Sequence, residues 1–285
     1  MRSKLFVPGA RPELFAKAYA SAADAISFDL EDSVPAESKA VARTQVAGFL
    51  SARTHGDRGK LAIVRTNAPD STHFDADLAA CLDAGADLIN LPKIESAPAL
   101  RDAVARLEAL ESQRGLARTA GLLVNIESPR ALRHAAAIAA AHPRVAGLQV
   151  GLGDLFEAAG IARSAANVHA VLFQVRMAAA ENGAFACDGA FPAIADEAGF
   201  RAEARLAREL GYIGKSCIHP RQIAWCHEVF TITPAEIEHA RRVVAAARNA
   251  SSAGHGAFQV DGHMIDPPFL RRAQALLAAA GDSAA

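Results

Sequence analysis

Apolar residues recur along this chain in short runs of strand length, separated by longer stretches dominated by Ala, Leu, Arg and Glu. The runs fall at 4–7, 25–29, 61–65, 88–91, 122–126, 145–150, 184–186 and 212–215, eight in all, and polar, Gly or Pro positions bound them. The stretches between, such as 97–113 and 130–140, are rich in strong helix formers. Strand alternating with helix predicts parallel βα units, and eight of them predict a closed (β/α)8 TIM barrel of the α/β class. An open doubly wound sheet fits less well, because the run never divides into two halves and no Gly-x-Gly-x-x-Gly turn follows the first strand. Past the eighth unit the pattern changes: a helix over 234–248, a Ser/Gly hinge over 251–256 and a last helix over 268–280. The expected division is a catalytic barrel over 1–230 and a C-terminal helical extension and lid over 231–285.

Composition narrows the partners. Hydrophobic residues make up 51% of the 285 positions and charged residues 21%, enough for a large core and unlike a disordered chain. Lys+Arg 30 against Asp+Glu 31, with no basic block, argues against nucleic acid. The apolar stretch after Met1-Arg2-Ser3-Lys4 is too short for a secretion signal, and the alanine-rich tracts fall short of a membrane span. Cys81, Cys187, Cys217 and Cys226 form no two-residue-spaced pair and read as reduced and structural. A cytoplasmic enzyme acting on small molecules is the expectation.

In such a barrel the chemistry sits at the carboxyl ends of the strands. Those ends read Pro8-Gly9, Asp29-Leu30-Glu31-Asp32, Arg65-Thr66-Asn67, Pro92-Lys93, Glu127, Asp154, and Lys215 with His219-Pro220 shortly after. A carboxylate just past a buried strand is costly to desolvate unless a cation, a donor or solvent compensates it. Glu127 and Asp154 both stand so, and hard oxygen donors suit Mg2+. Alternation sends Asp29 and Glu31 to one side and Leu30 to the other, so at most two of Asp29, Glu31 and Asp32 are expected at the mouth together. Asp32 with Ser33 has an alternative as a turn cap. Lys93 reads either as a Schiff-base nucleophile of a metal-free aldolase or as an ion-pair partner of Glu127 or Glu31. His219 reads as a structural histidine, while His134 and His142 read as surface.

Seven segments are informative in order: Arg2-Ser3-Lys4-Leu5-Phe6-Val7-Pro8-Gly9, Asp29-Leu30-Glu31-Asp32-Ser33-Val34-Pro35, Arg65-Thr66-Asn67, Leu91-Pro92-Lys93, Asn125-Ile126-Glu127-Ser128-Pro129, Gly214-Lys215-Ser216-Cys217-Ile218-His219-Pro220, and Val260-Asp261-Gly262-His263-Met264-Ile265-Asp266-Pro267-Pro268. Together they resemble the citrate lyase beta subunit-like (CitE-like) family of the HpcH/HpaI aldolase/citrate lyase superfamily, over nearly the whole chain. The resemblance implies a Mg2+-dependent lyase that cleaves or forms a carbon–carbon bond of a short 3-hydroxyacyl-CoA thioester, such as malyl-, citramalyl- or citryl-CoA, through a thioester enolate. It implies that Glu127 and Asp154 hold the metal, that Arg65 grips the thioester oxygen, and that Asp266 reaches a neighbouring subunit's site in a homotrimer or hexamer.

With that implication the expected catalytic residues are Arg65, Asp29, Glu31, Asp32 and Asp266. Substrate is expected at Arg65, Lys93, Glu127 and the backbone of Gly151-Leu152-Gly153. Arg11 and Lys17, in the loop and helix after the first strand, are candidates for the CoA phosphates. Leu14 stands where many relatives carry a further basic residue, which opens an acyl carrier protein as the alternative partner. Gly153 stands where relatives often carry a larger residue, predicting a close backbone approach to a small substrate acid. Asp266 also has a local reading as a helix cap before Pro267-Pro268. The competing activities are a metal-dependent aldolase of 4-hydroxy-2-keto acids and a non-catalytic carrier-binding subunit.

Overall fold

Eight parallel strands close in chain order: β1 Ser3–Pro8, β2 Ala25–Asp29, β3 Leu61–Arg65, β4 Leu88–Leu91, β5 Gly121–Ile126, β6 Val145–Val150, β7 Phe185–Asp188 and β8 Gly214–Cys217, with β8 returning to β1. The computed structural model describes residues 1–53, 59–116, 120–252 and 257–282. Helices follow the strands, the longest of the barrel being Ala97–Gln113 and Ala165–Glu181, each capped by a serine side chain, Ser96 and Ser164. The (β/α)8 expectation is met. The chain forms two compact units, Met1–Phe230 and Thr231–Ala285.

Bounds expected for β2, β3, β4 and β6 coincide with those observed, while β7 and β8 begin later than expected. Tyr212, the first residue of the eighth run, lies ahead of the strand, with its hydroxyl donating to the Leu172 carbonyl at 2.8 Å. The helix expected over 130–140 is broken at His134 into Pro129–Arg133 and Ala135–Ala139. His134 takes φ −102° and ψ 9°, outside the helical basin.

Alternation along each strand separates two cores. Outward-facing Ile26, Phe28 and Leu30 bury against the helical layer, where Phe28 meets Phe15 edge to face at 5.0 Å. Burial of each such side chain stabilises the barrel by about 1.5–3 kcal/mol. Inside, Ala25, Ile63, Leu88 and Leu123 form an apolar plug on which Met1 packs. Other inward positions are polar and buried: Lys4, Ser27, Asn90, Asn125, Gln149 and Ser216.

Lys215 corrects the rim reading. On β8 it faces outward with Cys217 while Ser216 faces in, and its ammonium lies 2.6 Å from both Asp188 and Glu203 between barrel and helices. Arg163 completes this buried network on Glu203, at 2.7 and 3.0 Å.

The second unit holds helices Pro234–Ser252 and Pro267–Ala279 and a hairpin, β9 Phe258–Val260 with β10 His263–Ile265. Asp261 and Gly262 turn it with φ of 51° and 80°, the left-handed pair that Asp-Gly favours. Val243, Val244, Val260, Ile265 and Leu277 form its own small core. Of the expected hinge, residues 253–256 lie outside the described residues. Among the described residues no helix is long and apolar enough to cross a membrane.

Candidate active site

Arg65 closes β3 and is in register with Asp29 at the end of β2. Its Nε and Nη2 each donate to one Asp29 oxygen at 2.7 Å, a bidentate clamp. Asp29 also accepts the backbone N–H groups of Glu31 at 2.9 Å and Ser33 at 3.1 Å. Burial pushes its carboxyl up, but the hydrogen bonds and charge of Arg65 outweigh it and hold the group below its ordinary range.

The remaining guanidinium nitrogen, Nη1, lies 2.9 Å from Glu31 and 3.5 Å from Asp32, and Lys93 Nζ lies 3.0 and 3.8 Å from the same two acids. All three acids therefore converge, against the expectation of two. Strand β2 ends at Asp29, and the alternation rule lapses in the turn that carries Glu31 and Asp32. Burial raises the Glu31 carboxyl to about 7 despite Arg65 and Lys93. Its oxygens touch those cations as ion pairs, without an aligned hydrogen bond.

Glu127 follows β5 and is buried. Its Oε1 accepts the Lys93 backbone N–H at 2.6 Å and its Oε2 the Asn125 amide at 2.8 Å. Lys93 reaches it with φ 54°, a left-handed conformation that costs a lysine about 1 kcal/mol or more. So Lys93 serves Glu127 through its backbone and Glu31 through its ammonium, the ion-pair alternative of the two set out above.

Asp154 is differently placed than its sequence position suggests. It lies in the first turn of helix Leu152–Ala159 and is exposed, so the argument from a costly buried carboxylate holds for Glu127 and fails for Asp154. Burial first, then the charge of Asp154, raises the Glu127 carboxyl above its ordinary range, so Glu127 lies within reach of the Asp154 charge. Two oxygen-donor acids on one rim, one buried and one open to water, fit a divalent cation that keeps most of its hydration. Among the described residues no group of three or more His, Cys, Asp or Glu is gathered closely enough to hold a metal ion by itself.

Gly151 makes a close approach of its own, to Glu127, while Gly153 faces open space. A Cβ on Gly151 would stand 2.5 Å from Glu127 Cβ and 2.9 Å from its Oε2, whereas one on Gly153 would meet nothing within 4 Å. Leu152, expected at the substrate, has its side chain in the hydrophobic core and can offer only its backbone. Gly151→Ala is expected to displace Glu127 and weaken Mg2+ binding about 10- to 100-fold by titration calorimetry. Equal affinity in variant and parent would remove the dependence.

Arg11 and Lys17 are both exposed, and Arg11 pairs with Glu13. Leu14 packs on the barrel core, which accounts for an apolar residue there. Asp266 occupies the N-cap of helix Pro267–Ala279, yet its side chain caps no backbone N–H, and its Oδ1 is buried without a hydrogen-bond partner among the described residues. His219 accepts the Arg221 N–H at 3.2 Å, a turn contact. Sequence reasoning missed the polar barrel interior, although a lysine or asparagine inside an apolar run is a visible signal: Lys4 binds Gln149, and Asn90 donates to Asn125 at 2.8 Å.

Comparison with known proteins adds to this geometry. The model of the HpcH/HpaI aldolase/citrate lyase family matches residues 2–220. The citrate lyase subunit beta of Escherichia coli (strain K12) is 37% identical over 98% of this chain and 93% of that protein. A (3S)-malyl-CoA thioesterase of Cereibacter sphaeroides (strain ATCC 17023) is 36% identical over 98% of this chain and 94% of that one. The crystal structure of CitE from Mycobacterium tuberculosis with magnesium, acetoacetate and coenzyme A matches with a TM-score of 0.76 and 32% identity, covering 99% of this chain and 98% of that chain.

Proposed function

This chain belongs to the HpcH/HpaI aldolase/citrate lyase family, and from that premise we propose that it is a Mg2+-dependent carbon–carbon lyase of a short 3-hydroxyacyl-CoA thioester. Malyl-, citramalyl- and citryl-CoA are the candidate substrates, and a thioester enolate is the intermediate. The observation that carries the reading is a clamped guanidinium, Arg65, on the same barrel rim as the acids Glu127 and Asp154, the first of them raised by the charge of the second as well as by burial.

Held by Glu127 and Asp154, Mg2+ would supply Lewis acidity toward the substrate's hydroxyl and carboxylate oxygens. Glu31, with a carboxyl poised near 7, takes the hydroxyl proton. The O–H electron pair becomes the carbonyl of the departing keto acid, and the pair of the broken carbon–carbon bond passes into the thioester as an enolate. Arg65 Nη1, which Asp29 does not use, turns from Glu31 at 2.9 Å to the enolate oxygen once Glu31 carries the proton and is neutral. Asp29 fixes the guanidinium plane, and Asp32 and Lys93 balance charge around it. Asp266 of a neighbouring subunit returns a proton to the enolate carbon in a homotrimer or hexamer. Arg11 and Lys17 receive the CoA phosphates, or the acidic surface of an acyl carrier protein in its place. Four buried free cysteines suit the reducing cytoplasm.

A second reading is favoured by the thioesterase relative: water attacks the thioester carbonyl and the carbon–carbon bond survives. Assay of the three thioesters and of free 4-hydroxy-2-keto acids, each with and without Mg2+, separates these readings. The expected result is acetyl-CoA and a keto acid from one of them, with Mg2+ only. Free CoA with the hydroxy acid intact would establish the thioesterase, turnover confined to free 4-hydroxy-2-keto acids the aldolase, and no turnover a carrier-binding subunit.

A further inference from the structure

Lys4 is wholly buried inside the barrel, and among the described residues its hydrogen-bond acceptor is the Gln149 side-chain carbonyl. Alternation puts Lys4, Phe6 and Pro8 on the inward face of β1. Register sets Pro8 level with Asp29 and Arg65, and Lys4 level with Ala25 of the apolar plug. Phe6 therefore occupies the tier between two cations. The Lys4 Nζ lies 4.2 Å from its ring centroid and the Arg65 Cζ 5.3 Å from the same point.

An ammonium in that place is expensive to desolvate, and methionine would fill it with no charge to bury. Two flanking hydroxyls, Ser27 and Ser216, are likewise buried without a hydrogen-bond partner among the described residues. A charge buried deep in a core, two tiers beneath a reactive mouth, breaks a local rule where functional sites are expected to break one. The mouth has a matching need. Asp29, Glu31 and Asp32 all crowd Arg65 and drain the positive field that an enolate oxygen requires.

We propose that Lys4 is a positioning residue for the lyase reaction: from beneath Phe6 its charge offsets the three acids and leaves the Arg65 guanidinium effective toward the thioester oxygen. This rests on the reading that Arg65 holds that oxygen. The charged and titratable groups whose charge reaches Lys4 are Cys187, Arg65 and Asp29 and, from the outer face of β8, Cys217. Burial lowers Lys4 to about 8. Burial also raises the Cys187 thiol to about 11, and the Cys226 hydrogen bond together with burial holds Cys217 well above its ordinary range. Asp29 is held low and Arg65 is permanently charged. Lys4 is thus the member of this set that changes charge near pH 8.

The test compares Lys4→Met and Lys4→Arg with the parent across that pH. In the parent, kcat should fall on passing above pH 8. Lys4→Met is expected to lose about 10-fold in kcat below that pH, with little change in KM, and to lose the alkaline fall as well. Lys4→Arg, permanently charged, should keep the rate and extend it upward. Stability gives an independent readout. Because the folded value lies below the unfolded one of 10.5, the buried charge destabilises the native state below pH 8, and the parent Tm should rise between the two values. Lys4→Met should lack that rise. Parental kcat and pH profile in Lys4→Met, or equal losses in Lys4→Met and Lys4→Arg, would overturn the proposal. An inactive Arg65→Ala beside a parental Lys4→Met sinks this inference alone; an active Arg65→Ala sinks the reading beneath it.

Discussion

An Arg65→Ala protein is expected to lose about 100- to 1,000-fold in kcat for thioester cleavage, the usual consequence of deleting a preorganised oxyanion donor. The loss should fall on kcat rather than KM, because the contact strengthens as the enolate forms. Mg2+ affinity should be largely retained, since Lys93 and Asn125, not Arg65, hydrogen-bond Glu127. The change also strips Asp29, only 3% exposed, of its bidentate partner and is expected to cost about 1–3 kcal/mol in stability. A melting curve must accompany the assay for that reason. Arg65→Lys should not rescue, since a point-charge ammonium cannot reproduce two parallel N–H bonds to Asp29 while leaving a third nitrogen for substrate. Near-parental turnover in a folded Arg65→Ala protein would withdraw the role.

The other large effect is on folding. Lys215→Met is expected to destabilise the barrel by roughly 3–5 kcal/mol, because it leaves buried Asp188 and Glu203 without the ammonium that joins them. Burial already pushes the Asp188 carboxyl up to about 6 against the pull of Lys215. Glu203, with Arg163 as a second partner, is held low although burial opposes it. With the lysine gone, Asp188 should take up a proton, so the loss should grow as pH rises above its present value. Urea unfolding of parent and variant at two pH values measures both effects. A variant as stable as the parent would show that the trio contributes no net stability.

The barrel was legible because each buried strand is a run of apolar residues closed by a polar one, a pattern that survives without tertiary context. The rim was legible in part. Arg65 ends a strand, Glu127 and Lys93 follow one closely, and all three are legible by position, but the gathering of Asp29, Glu31 and Asp32 is not, since a turn beyond a strand obeys no period of two. Lys215 failed in the opposite way. It lies within β8 rather than after it, and a one-residue shift in the strand's end reverses which face a side chain takes. Gly151 and Gly153 are equivalent in sequence, and only the packing of Glu127 tells them apart. The hairpin at Asp261-Gly262 was readable from a two-residue signal between apolar positions, and a reading of the tail as helical passed over it.

Lys93 joins the two halves of the mouth. Its peptide nitrogen bears on the acid assigned to the cation, and its ammonium bears on the acid beside the guanidinium. A single residue is therefore a strut between them. A change at Lys93 is expected to disturb both acids at once, one through the peptide and the other through the ammonium.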